Sequence, residues 1–140
     1  MFERILLAVD GSEHAMHAAQ KAAALARAMK SDELRVVVSY DMIPVYLGEP
    51  NMQIAITNRK GEAEEILNSA IKEIGDVPCE IHSELIEGDA ATSIIEVAKT
   101  RKSDVIVMGS RGLGTLAGLL LGSTSQKVVS HAPCPVLIVR

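Results

Sequence analysis

The residues with the clearest chemical promise lie late in the chain: Gly109-Ser110-Arg111-Gly112, then nine residues, then Gly122-Ser123-Thr124-Ser125. Glycines let backbone approach a polyphosphate closely, and the start of a following helix offers unpaired N–H groups at the positive end of its dipole. Ser123-Thr124-Ser125-Gln126 has a capping-box pattern, which predicts a helix starting beside Gly122. Hydroxyls and amides would then converge on one anion. Charge agrees with this reading. Residues 105–140 hold Arg111, Lys127 and Arg140 and no acid, a balance of +3, whereas residues 1–104 hold all 18 acids against 11 Lys and Arg, a balance of −7.

Familiar nucleotide motifs fail on inspection. A Walker A loop ends in Gly-Lys-Ser/Thr, but Gly122 is followed by Ser123. A dinucleotide fingerprint over Gly112-Leu113-Gly114 and Gly118 wants an acid about 20 residues later, and none follows Asp104. A phosphorelay receiver needs an acidic pair after the first strand, where this chain has Asp10 followed by Gly11. An ATP-hydrolysing or nucleotidyl-transferring enzyme lacks its parts: no Lys in the loop, no Walker B acid, no evident general base near Ser123. His14 and His17 stand one turn apart with no third ligand at matching spacing, so a solvated helix face is expected there rather than a metal. His131 and Cys134 read as packing and terminal-cap residues. Cys79 and Cys134 are 55 residues apart with no CxxC spacing, which argues against both zinc and a disulfide framework.

These residues need a scaffold, and the hydrophobic pattern supplies one. Arg4–Asp10 is a short apolar run closed by turn residues, a buried strand; Ser12 can cap an alanine-rich helix running to Lys30. Leu34–Tyr40 is a β-branched second strand, and residues 41–56, with Pro44, Gly48 and Pro50, read as a long irregular connection. Thr57–Ile74 has helical period and a Gly75 stop. Cys79–Leu85 alternates polar and apolar, as expected of a strand at a sheet edge. Gly88-Asp89 opens a third helix, Asp104–Gly109 is a nearly continuous apolar strand, a short helix spans about Ser123–Ser130, and Pro135–Arg140 is the last strand. Alternating strands and helices imply a doubly wound α/β domain with five parallel strands, whose ligand site lies beyond the strands' carboxyl ends. Asp10-Gly11 and Met108-Gly109 are the candidate floors.

At 140 residues, 48% hydrophobic and 23% charged, the chain fits one domain spanning 1–140. Net charge is −4 and only Phe2, Tyr40 and Tyr46 are aromatic, which disfavours nucleic acid as a partner. No apolar run reaches the ~20 residues of a membrane span and no signal peptide is evident, so a cytoplasmic protein without membrane insertion is expected.

The stretches Ile5–Ser12, Gly88-Asp89, Val105–Gly112, Gly122-Ser123 and Pro133–Val139 together resemble the universal stress protein family over essentially the whole chain. Gly109, Gly112, Gly122 and Ser123 match the G-x2-G-x9-G-[ST] pattern of its ATP-binding branch. The resemblance implies a Rossmann-like fold with strand order 3-2-1-4-5, and a regulatory or stress-tolerance role in place of an enzymatic one. It implies ATP as ligand, with Mg as an optional companion, and leaves weak ATPase activity in a dimeric stress-response module as the alternative. It places Asp10 against the ribose, where the competing reading is a turn cap, and Ala8, Val38 and Met108 around the adenine. Gly109, Gly112, Gly122, Ser123, Thr124 and Ser125 form the phosphate and ribose cradle, with Arg111 either approaching phosphate or facing water. A homodimer through residues 135–140 is expected, because Val136-Leu137-Ile138-Val139 is apolar on both faces at what would be a sheet edge. The downstream protein partner is not identified by these residues.

Overall fold

Ile5, Leu6 and Leu7 have no exposed surface, a condition met by an interior strand covered on both faces. In the computed structural model, which describes residues 1–42, 45–111 and 121–140, they form β1 (Arg4–Ala8) at the centre of a sheet. The remaining elements follow in strict alternation: α1 (Glu13–Met29), β2 (Glu33–Tyr40), α2 (Asn51–Ile74), β3 (Glu80–Glu87), α3 (Ala90–Thr100), β4 (Val105–Gly109), α4 (Ser123–His131) and β5 (Val136–Val139). The sheet order is β3-β2-β1-β4-β5 and every pairing is parallel. The chain order reverses between β1 and β4, so the sheet has its switch point there.

Two layers cover the sheet. On one face Leu7, Val36, Val38 and Val107 pack with α1 and α2 residues such as Ala18, Ala22 and Leu67. On the other, Leu6, Val37, Ile106 and Met108 pack with Ile94 and Ala98 of α3 and Val128 of α4. The α1 stripe is built from alanines, four of which (Ala18, Ala19, Ala22, Ala26) are fully buried, so this helix lies close on the strands. Ser12 caps it, accepting from the Ala15 N–H at 3.2 Å. Gly75 ends α2 at φ 66°, a left-handed value that glycine adopts without strain.

Helix α2 begins at Asn51, so the irregular connection is shorter than the sequence suggests. Its first turns present Ile54 and neighbouring residues to solvent, and a helix without a buried stripe leaves no periodic signal. The two sheet edges differ. Edge strand β3 carries Glu80, Glu84 and Glu87, whereas β5 is Val136-Leu137-Ile138-Val139 with Leu137 exposed.

Candidate functional site

Parallel register aligns the C-terminal ends of three strands: Ala8 pairs with Val37 on one side and with Met108 on the other. These three residues form the apolar floor of a cleft that opens at the carboxyl ends of the strands. Ala90 and Ile94 at the start of α3, Asp10 and Ser12 of the β1–α1 turn, Gly109 and Arg111 after β4, and Gly122–Ser125 at the start of α4 complete its lining.

The Asp10 carboxylate accepts the Ser12 N–H at 3.0 Å. The turn cap is therefore real, and it also fixes the carboxylate at the lining of the cleft. Gly122 is the N-cap of α4, with φ −74° and ψ 169°, and no side chain caps the helix. This corrects the capping-box expectation: Ser123 is the first helical residue and its hydroxyl is not the cap. Ser125 is almost fully buried and its hydroxyl donates to the backbone, 2.8 Å from Ser110 O and 3.0 Å from Gly122 O. The first N–H groups of an α-helix lack intrahelical acceptors, and the residues that carry them in α4, Ser123–Ser125, line the cleft, where an anion would complete them.

Most of the expected site residues thus come together: Ala8, Asp10, Met108, Gly109, Arg111, Gly122, Ser123, Thr124 and Ser125 all line the cleft. Gly112 lies outside the described residues. Val38 does not line it. Side chains alternate along a strand, so Val38 is buried against the α1–α2 layer while Val37 and Ser39 face the cleft. The signal that could have found them was this alternation, read across from Ala8 once the pairing register was known. Gly109 has a second duty: a Cβ there would sit 2.8 Å from His14 Cβ and 3.0 Å from Ala15 N, so its missing side chain lets the first turn of α1 abut the end of β4. His14 and His17 are not on a solvated face. Both are half-buried and bonded, His14 Nδ1 to Ser110 Oγ at 2.8 Å and His17 Nδ1 to Arg140 O at 2.9 Å.

The α3 side of the site is braced electrostatically. Asp89 caps α3, and its carboxyl is held below the usual aspartate range by bonds from the Thr92 backbone N–H and hydroxyl and by the Lys127 ammonium of α4 at 3.3 Å. Among the described residues no three His, Cys, Asp or Glu side chains stand together as a metal site.

Fold and cleft define a doubly wound, Rossmann-like α/β protein with its cleft at the topological switch point. The universal stress protein family model matches residues 1–140, and the chain belongs to that family. A universal stress protein of Thermus aquaticus is 49% identical over 140 residues, the full length of both chains. The structure of UspA from Lactobacillus plantarum superposes with a TM-score of 0.87 at 24% identity, over 99% of this chain and 98% of that one. A universal stress protein crystallised in complex with cAMP gives a TM-score of 0.65 at 25% identity, over 97% and 95% of the two chains.

Proposed function

We propose that this universal stress protein binds an adenine nucleotide, ATP, and acts as a regulatory protein in stress tolerance with no catalytic residues of its own. The observation that carries the reading is the cleft itself, whose lining brings together a carboxylate, a helix N-terminus without a side-chain cap and an apolar floor. Adenine lies over Val37, Ala8 and Met108, the ribose hydroxyls bond Asp10, and the phosphates reach the amides of Gly122–Ser125 with Arg111 beside them. Binding of cAMP by a structural neighbour supports the adenine assignment. Mg, where it accompanied the nucleotide, would be held by phosphate oxygens, as no His, Cys, Asp and Glu cluster stands among the described residues to hold it. The free thiols of Cys79 and Cys134 suit the reducing cytoplasm, where we place the protein.

Calorimetric titration with ATP tests the reading. Gly122→Val puts a branched side chain where phosphate must approach, so affinity is expected to fall at least about tenfold, roughly 1.4 kcal/mol, with folding retained. Equal affinity in the variant removes the α4 start from the site. We further propose a homodimer through β5, whose exposed apolar edge pairing with a second copy would satisfy. Sedimentation checks it: a monomeric wild type, or an Ile138→Asp variant that dimerises like the parent, contradicts the pairing.

A further inference from the structure

Ser110, almost fully buried just after β4, is a junction. Its N–H donates to Val139 O of β5 at 2.7 Å, its carbonyl accepts both the Gly122 N–H and the Ser125 hydroxyl at 2.8 Å, and its own hydroxyl lies 2.8 Å from His14 Nδ1. The carbonyl contacts tie the start of α4 to the end of β4. The hydroxyl contact ties both to α1, and Gly109 makes it possible, because any side chain at that position would push the first turn of α1 away.

We propose that His14 is a positioning residue for the phosphate cradle. It does not line the cleft. Through Nδ1 it holds the Ser110 side chain, and so fixes the peptide group on which Gly122 and Ser125 are hung. Without the ring, a buried hydroxyl loses its partner and turns towards the neighbouring backbone acceptors, competing with the bonds that set the Gly122 amide. The effect is felt at the phosphate end of the cleft and not at the adenine floor, whose residues Ala8, Val37 and Met108 are held by the pairing of β1 with β2 and β4. This inference rests on the adenine-nucleotide reading above.

The test compares wild type with His14→Asn, His14→Gln and His14→Leu in calorimetric titrations with ATP, ADP and adenosine. An Asn amide occupies the place of Nδ1, whereas a Gln amide occupies that of Nε2. The Leu and Gln variants are expected to weaken ATP and ADP about five- to tenfold with adenosine unchanged, and Asn to restore ATP affinity to within about twofold. In a Ser110→Ala background, His14→Leu should add no further loss, since the two side chains act as a unit. Unchanged ATP affinity in the Leu variant, an equal loss for adenosine, failure of Asn to rescue, or additive losses in the double variant would each overturn the assignment. Should His14→Leu not fold, Ser110→Ala carries the test, and unaltered ATP affinity there overturns it as well. Wild type that binds no ATP removes the nucleotide reading and this inference together. Wild type that binds, beside variants that bind equally, removes the inference alone.

Discussion

The two helical layers were built to different standards. On the α1–α2 side, helices of 17 and 24 residues lie along the sheet, and the alanine stripe of α1 brings backbone close to strands over its whole length. On the α3–α4 side the helices have 11 and 9 residues and cover less. Where they stop, other things begin. At the C-terminal ends of the strands the gap is the cleft. At the opposite end of β2 it is filled by ions: buried Arg35 sits 3.3 Å from Glu33 and 3.5 Å from Glu84, and Glu84 also meets Arg101 at the end of α3 at 3.1 Å. One layer runs longer helices over its face, and the other leaves a cleft at the carboxyl ends of the strands.

Adjacent residues of β1 measure that contrast most directly, since Leu7 points into the first layer and Leu6 into the second, both fully buried. Truncation to alanine should cost about 2–5 kcal/mol in each case. Leu7→Ala is expected in the upper half of that range, because close-packed helices cannot collapse on the cavity, and Leu6→Ala in the lower half. Denaturant unfolding of both variants decides it, and the reverse order would dissolve the distinction between the layers.

A smaller effect separates enlargement on the two sides. Ala22→Leu on α1 overpacks a site with no room and should cost about 1–3 kcal/mol. Ala90→Leu, in the cleft wall, should change stability by less than about 0.5 kcal/mol while abolishing ATP binding in the same titration used for Gly122→Val. A stability loss at Ala90 matching that at Ala22 would mean the second layer is as tight as the first.

The smallest effect concerns the brace between α3 and α4. Asp89→Ala should destabilise by about 1 kcal/mol, the worth of an N-cap, and the loss should depend on pH. Because the folded-state carboxyl titrates below its ordinary value, its contribution is fully present above the usual aspartate range and disappears as the pH falls through the lower folded-state value. Thermal melts of wild type and variant should therefore differ at neutral pH and converge in acid. A difference that persists at the acid end would assign the effect to helix propensity alone.

Much of this was legible in the residues. Apolar runs bounded by turn residues located all five strands, and the polar alternation of Cys79–Leu85 marked β3 as an edge. The glycine and hydroxyl spacing drew attention to the strand ends where the cleft lies. What escaped had physical reasons. Val37 could not be preferred over Val38 without pairing register, because both are valines in an unbroken apolar run. The early turns of α2 bury no stripe and so resemble a loop. A local hydroxyl pattern at Ser123 suggests a cap, but the helix takes its N-cap from Gly122 and leaves its amides open. The role of Gly109 against α1 and the His14–Ser110 bond join positions 96 residues apart, and no local pattern encodes such a meeting.

The unequal edges of the sheet bear on how far assembly can go. A filament needs an adhesive strand at each end of every subunit, and here one margin carries the exposed acids Glu80 and Glu87 while the other carries an aliphatic tetrapeptide with Leu137 exposed. Copies that joined through the aliphatic margin, as proposed, would turn only their acidic margins outward, and like charges there would repel further addition. Under the proposed β5 pairing, the outermost side chains and not the strength of the contact would set the stoichiometry: growth would be terminated at both ends by the same strand.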